Sequence, residues 1–298
     1  MIVVSSCGVD AGKPRLVLDA DTGNEQDDLY AIVRLLCQDR FEVVALNSAQ
    51  FLHYKMDESR AKSVDQSHAL NESLVRLVGR DDVPLFRGAE EPFGVPWGGQ
   101  QPKDSPAAQE IIRLARETPE GEKLVVVCIG ASTNLASALR LAPDITPRVA
   151  AYLLGFQYDP ETRVWNKSEF NIRRDLNAAD YLLDLDGLEL HVMPASVSKP
   201  LTFNRDDSQA RNDRMGELGK FLNDRWRAYF NQYGEWVMWD LALVEAMLRP
   251  ELATEQRRLP PPENAQREIW VYTDIDEAAM RDDYWSVVEA RFADRVAE

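Results

Sequence analysis

Residues Leu16–Leu36 read LVLDADTGNEQDDLYAIVRLL. An apolar run leads into Asp19, Asp21, Glu25, Asp27 and Asp28, and apolar positions then recur at Leu29, Ile32, Val33 and Leu36. This spacing predicts a buried strand over Arg15–Leu18 and a helix over Asp28–Cys37. In open α/β sheets ligands bind at the carboxyl ends of strands, which is where Asp19 and Asp21 fall. Asp27 and Asp28 fall at the helix start, where the helix dipole favours negative charge. Capping would account for one or two acids. Four aspartates at one strand end repel one another and raise each other's pKa unless a cation lies among them. Oxygen-only ligands specify a hard cation, Ca²⁺ or Mg²⁺, rather than zinc.

Working outward, FEVVAL (Phe41–Leu46), KLVVVCI (Lys123–Ile129), Val149–Leu154 and Leu188–Met193 read as further strands. Helical stretches close at Asn71–Gly79 and span Ser132–Leu141. The alternation predicts an α/β fold with a mainly parallel open sheet flanked by helices. Fully apolar strands such as VVVCI suit a sheet covered on both faces. Glu91–Pro106, Asp159–Lys167 and Arg257–Glu263 read as loops. The expected organisation is an N-terminal extension over residues 1–14 and a single domain over residues 15–298.

The chain has 298 residues and a formal net charge of −16. That balance disfavours nucleic acid, whose binding rests on neutralising phosphates with Lys and Arg. Three cysteines without paired spacing point to a reducing, cytoplasmic setting. The N-terminal MIVVSSCG lacks the basic flank and length of a signal peptide. No apolar run reaches the ~20 residues of a membrane span, so no membrane partner is expected. His53, His68 and His191 have no metal-ligand spacing. An EF-hand is excluded, because DADTGN has no Gly at the sixth loop position and no Glu at the twelfth. The D-x-D-x-T signature of haloacid-dehalogenase-like phosphatases fails by one residue, since Gly23 stands in the fifth position.

DADTGNEQDD resembles the D-x-D-x-G-x-D-D motif of the inosine–uridine-preferring nucleoside hydrolase family, which precedes a helix. The resemblance implies that Asp21 is a calcium ligand and the base that activates water. It makes Asp27 the partner of the ribose 2′-hydroxyl and Asp28 a second metal ligand, leaving Asp19 to the loop. Here the segment Asn24–Gln26 is two residues longer than the usual motif. CIGASTNLASAL (Cys128–Leu139) resembles T-G-P-L-T-N-I-A, in which a strand-end carbonyl, here Ile129, completes the metal shell. Ser132–Asn134 also reads as a helix N-cap. NKSEFN (Asn166–Asn171) resembles S-A-E-F-N, which implies that Glu169 and Asn171 hold the ribose hydroxyls, particularly toward the 5′ end. Phe170 would then lie behind the sugar, with Asn166 as a further ribose contact.

VMWDLALVEAMLRPEL (Val237–Leu252) resembles the family's H-D-P-x-A helix start, with Asp240 as the remaining metal carboxylate. Trp239 replaces the usual His; its ring can stack on a base but supplies no titratable proton. SAQFLH (Ser48–His53) stands where the family has a ribose-binding Asn, and offers Gln50 and His53 as substrate contacts. The resemblance thus implies a Rossmann-like core and a calcium-dependent N-ribohydrolase acting on a ribonucleoside or related ribosyl compound in purine or pyrimidine salvage. It also implies a homo-oligomer, dimer or tetramer. Two other classes stay open: binding of a ribosyl ligand or calcium without turnover, and cleavage of another glycosidic or ester bond by the same metal centre.

Overall fold

A computed structural model describes residues 12–51, 61–94 and 98–293. His53 lies outside the described residues. From the N-terminal side, β1 (Arg15–Ala20) leads through the acidic loop into α1 (Asp27–Leu36) and β2 (Glu42–Ser48). Then come α2 (Ala61–Val78), β3 (Leu85–Arg87), α3 (Pro106–Glu117), β4 (Leu124–Cys128), α4 (Thr133–Leu141) and β5 (Val149–Leu154). A small hairpin of β6 (Gln157–Asp159) and β7 (Val164–Asn166) precedes α5 (Phe170–Arg174), α6 (Leu176–Asp184), β8 (Glu189–Met193) and α7 (Ala195–Ser198). The chain continues through β9 (Thr202–Asn204), α8 (Arg205–Asn212), α9 (Gly216–Tyr229), β10 (Glu235–Val237) and α10 (Trp239–Leu248). It closes with β11 (Ala253–Arg258), β12 (Ile269–Ile275) and α11 (Glu277–Phe292).

Eight strands form one sheet in the order β11-β12-β8-β5-β4-β1-β2-β3. Every neighbouring pair is parallel except β11 with β12. The expected mainly parallel sheet is therefore present, with an antiparallel hairpin at one edge. The two-residue period of the strands divides the core. Leu16, Leu18, Val125 and Val127 face the layer of α1, α10 and α11. Val17, Val126, Cys128 and Ala151 face that of α3, α4 and α6. Both faces are buried, which is why these strands carry apolar residues without alternation.

After β1 the chain turns to β2 on one side, while β4 lies on the other. The crevice between β1 and β4 is the switch point at which such sheets hold ligands.

Several features differ from the sequence expectation; β11, for one, takes in Arg257 and Arg258 of the expected loop Arg257–Glu263. Asp159–Lys167 is partly a hairpin rather than a loop. The Asp159 carboxylate accepts the Glu161 and Thr162 N–H groups at 2.9 and 3.1 Å, which turns the chain back on itself. β1 also runs two residues further than Leu18, so Asp19 belongs to the strand and is buried.

α1 and α10 pack against each other and are joined by a buried ion pair. Arg34 Nε donates to Glu245 Oε1 at 2.8 Å, and its Nη2 reaches Asp283 of α11 at 2.5 Å.

Candidate active site

The acidic loop is fixed from several sides. The Thr22 hydroxyl donates to Asn71 Oδ1 at 2.6 Å, and Arg225 Nη2 of α9 donates to the Gly23 carbonyl at 2.8 Å. The Asn24 N–H donates to the Asp21 carbonyl at 2.8 Å. Next to β1, the Ile129 N–H donates to the Asp19 carbonyl at 3.0 Å, which brings Gly130 against Asp21. A Cβ on Gly130 would meet the Asp21 side chain at 2.8 Å, so this position requires glycine. The Asp19 carboxylate takes no part in the loop: it accepts Asn134 Nδ2 at 2.9 Å, and burial pushes its pKa up to about 7.

The resulting cavity, about 250 Å³, is lined by Asp21, Glu25, Asp27, Asp28, Glu169 and Asp240 among its acids. Ile129, Phe170, Asn171 and Trp239 complete most of the predicted set. One oxygen from each of Asp27, Asp28 and Asp240 lies within 4.8 Å of the others. The two oxygens of Asp27 are engaged, Oδ2 by the Asp240 N–H at 3.1 Å and Oδ1 by Trp236 Nε1 at 3.4 Å. Asp27 thus serves the amino end of α10, which has no capping side chain of its own. Asp240 sits in the first turn rather than at the cap.

By contrast, Asp21 Oδ2, Asp28 Oδ1 and Asp240 Oδ1 are buried and have no hydrogen-bond partner. Buried acceptors are ordinarily satisfied, so three orphaned carboxylate oxygens around one cavity mark a place for a cation. The donor set fits a hard ion.

Burial is the first cause of raised pKa values throughout the cluster. Asp21 is pushed further up by the charges of Glu25 and Asp27, and Asp28 by those of Asp21 and Asp27, with Arg225 opposing. Asp240 rises through burial and then the charges of Asp27, Asp28 and Asp21. Asp27 reaches about 6, held there by the N–H groups that it accepts. A cation favours the charged form of each group and reverses this trend.

Glu169 caps α5, accepting the Asn171 and Ile172 N–H groups, each at 3.0 Å. Asn171 Nδ2 donates to the Ile129 carbonyl at 3.1 Å and lies 3.4 Å from that of Leu154, bridging the ends of β4 and β5. The Arg174 guanidinium lies 4.8 Å from the Phe170 ring centroid.

Other candidates are placed elsewhere. Asn166 is not among the lining residues, and its Oδ1 accepts the Ser168 N–H at 2.7 Å. Gln50 is buried, with its amide 3.5 Å from both Thr133 Oγ1 and the Arg174 carbonyl. His68 meets Ser48 Oγ at 3.0 Å, and His191 lies between Glu189 and Glu255. Ser132 occupies the N-cap position of α4 without a side-chain cap bond. Asn134 instead gathers Asp19, the Ala89 N–H and the Ser105 hydroxyl. Glu25 was visible in the sequence as a member of the acid cluster, whereas Gly130, Arg225 and Arg173 carry no local signal. Their roles arise from chain segments meeting in space.

A sheet of this order, with a carboxylate cavity at its switch point, defines an α/β protein with a ligand-sized cavity whose acids could hold a cation. Residues 16–281 match the model of the inosine–uridine preferring nucleoside hydrolases, and the chain belongs to that family of N-glycosyl hydrolases. It is 26% identical over 232 residues to a probable uridine nucleosidase 2 of Arabidopsis thaliana, covering 70% of this chain and 68% of that one. Among solved structures, an inosine–guanosine nucleoside hydrolase aligns with TM-score 0.70 and 20% identity, covering 93% of this chain and 98% of the other. The type III effector XopQ, solved with adenosine diphosphate ribose, aligns with TM-score 0.72 and 12% identity over 95% of each chain. These two structural likenesses bear on the fold alone.

Proposed function

We propose that this chain hydrolyses the N-glycosidic bond of a ribonucleoside or related ribosyl compound with the help of a bound calcium ion. The observation that carries the reading is the set of orphaned oxygens on Asp21, Asp28 and Asp240 facing one cavity with Glu169 and Asn171. Asp21, Asp28, Asp240 and the Ile129 carbonyl would hold the ion. When bound, it supplies a seat for vicinal hydroxyls and lowers the pKa of a coordinated water.

The protein's own groups do the rest. Asp21 takes the proton from the attacking water, since it lines the cavity and its Oδ2 has no hydrogen-bond partner. Asp27 accepts from the ribose 2′-hydroxyl, and Glu169 with Asn171 positions the remaining hydroxyls. Cleavage passes through an oxocarbenium-like state, and the surrounding carboxylates stabilise the positive charge that develops on the sugar. Trp239 offers a ring face to the departing base. Among the described residues no histidine lines the cavity.

A cytoplasmic role in base salvage is part of the proposal. A reducing-sugar assay across purine and pyrimidine nucleosides tests it. Ribose should be released with Ca²⁺ and not after chelation. Ribose release that is indifferent to chelation would remove the cation from the mechanism, and no release from any nucleoside would remove the activity.

A further inference from the structure

The cavity is chemically two-sided. Against its acids stands a wall contributed by the segment from Gln157 to Arg173, on which Gln157, Ser168 and Arg173 line the same space. The Arg173 side chain makes no hydrogen bond or ion pair among the described residues, and its neighbour Arg174 repels it. It therefore neutralises none of the nearby carboxylates, although it lies one turn beyond Glu169, whose carbonyl accepts its N–H at 3.0 Å. Gln157 likewise has no partner for its side-chain amide among the described residues. Free donors, one of them a guanidinium, on the wall of an acidic cavity are suited to an acceptor-rich anion.

We propose that the preferred substrate is a ribosyl compound phosphorylated on its 5′-oxygen, with Arg173 holding the phosphoryl group. This rests on the ribohydrolase reading above. In that reading the 2′- and 3′-hydroxyls lie at the cation and the anomeric carbon carries the base, which leaves the 5′-oxygen to bear a substituent; Glu169, set toward that end, has both carboxylate oxygens occupied by the Asn171 and Ile172 N–H groups. The carboxylates would repel a phosphoryl group anywhere deeper in the cavity, which confines it to the exposed rim where Arg173 stands. The reaction is then the hydrolysis of a nucleoside 5′-monophosphate. Water oxygen bonds to C1′, the C1′–N bond breaks with its electron pair going to nitrogen, and the water proton ends on the free base. The products are ribose 5-phosphate and the base, and water is the sole co-reactant.

The test compares uridine with uridine 5′-monophosphate, and inosine with inosine 5′-monophosphate, on the calcium-loaded protein. The monophosphates should match or exceed the nucleosides in kcat/KM. Arg173→Gln should lower the monophosphate-to-nucleoside ratio about tenfold, as expected for loss of one charged anchor, while Arg173→Lys retains most of it. Because the rim is exposed, raising the salt concentration should erode the same ratio. Calorimetry on Asp21→Asn provides a second readout without turnover: monophosphate binding should weaken when Arg173→Gln is added. If nucleosides are hydrolysed, monophosphates are about a hundredfold poorer and Arg173→Gln leaves the ratio unmoved, the phosphoryl subsite is refuted and the nucleosidase reading stands. If neither class is hydrolysed and neither binds, both readings fall together.

Discussion

Removing divalent cation should make the stability of this protein fall as pH rises from about 4 to 6, and restoring Ca²⁺ should cancel that fall. Asp27 has a pKa of about 6 in the fold against an ordinary 3.8, chiefly because it is buried. Between those values the folded chain holds a proton that the unfolded chain has released. The contribution is therefore complete at low pH and is lost as pH climbs through the folded value. A difference of roughly two units corresponds to about 3 kcal/mol. At ~2–4 °C per kcal/mol for a chain of this size class, Asp27 alone accounts for about 6–12 °C of Tm. Asp21, Asp28 and Asp240 shift in the same direction. A bound cation favours all four charged forms and so removes the penalty. Scanning calorimetry on metal-stripped protein and on protein in millimolar CaCl₂, over the same pH series, isolates the effect because carboxylates elsewhere cancel in the difference. Parallel Tm–pH curves with and without Ca²⁺ would refute the assignment of this cluster as a cation site.

Three substitutions probe neighbouring parts of the design. Asp21→Asn should reduce kcat by about 10²–10⁴-fold, the usual worth of a general base, while the Tm of the stripped protein holds or rises because a repelling charge is gone. Gly130→Ala places a methyl group 2.8 Å from the Asp21 side chain, so the calcium-induced rise in Tm should shrink sharply while far-UV circular dichroism stays unchanged. Arg34→Met leaves Glu245 buried without its cation and should cost about 3–5 kcal/mol in urea unfolding. A loss below ~1 kcal/mol would show that the pair is dispensable.

Much of this molecule was legible in order along the chain. The strands β1, β2, β4, β5 and β8 announce themselves by apolar runs, and both cores are implied once those runs show no alternation. The acids Asp21, Asp27 and Asp28 stood out because like charges gathered beside apolar elements need a reason, whereas the lone Asp240 was legible only through the resemblance of its helix start. What stayed hidden depends on distant segments meeting. Asp19 looked like a loop residue because strand length is set by backbone pairing with Asn47 of β2 and Cys128 of β4, and its buried carboxylate finds Asn134 more than a hundred residues away. The division of labour between Asp27 and Asp28 follows from which oxygens the Asp240 N–H and Trp236 occupy, and adjacent aspartates give no hint of that. Arg173 was read past for the same reason: an arginine near the end of a short helix is ordinary until the cavity it faces is known.

The double tie between α1 and α10 bears on ionic size. Asp27 joins the two helices at their amino ends and Arg34 joins them to each other and to α11 further along, so Asp28 and Asp240 are mounted on rails whose gauge is fixed at two points. Carboxylates on such rails would have to move against two ties to grip a small ion at the ~2.0–2.1 Å that magnesium demands, and less so to meet the proposed calcium at ~2.3–2.6 Å. Selectivity for calcium would then be a property of helix spacing, set as much by a guanidinium remote from the cavity as by the acids themselves.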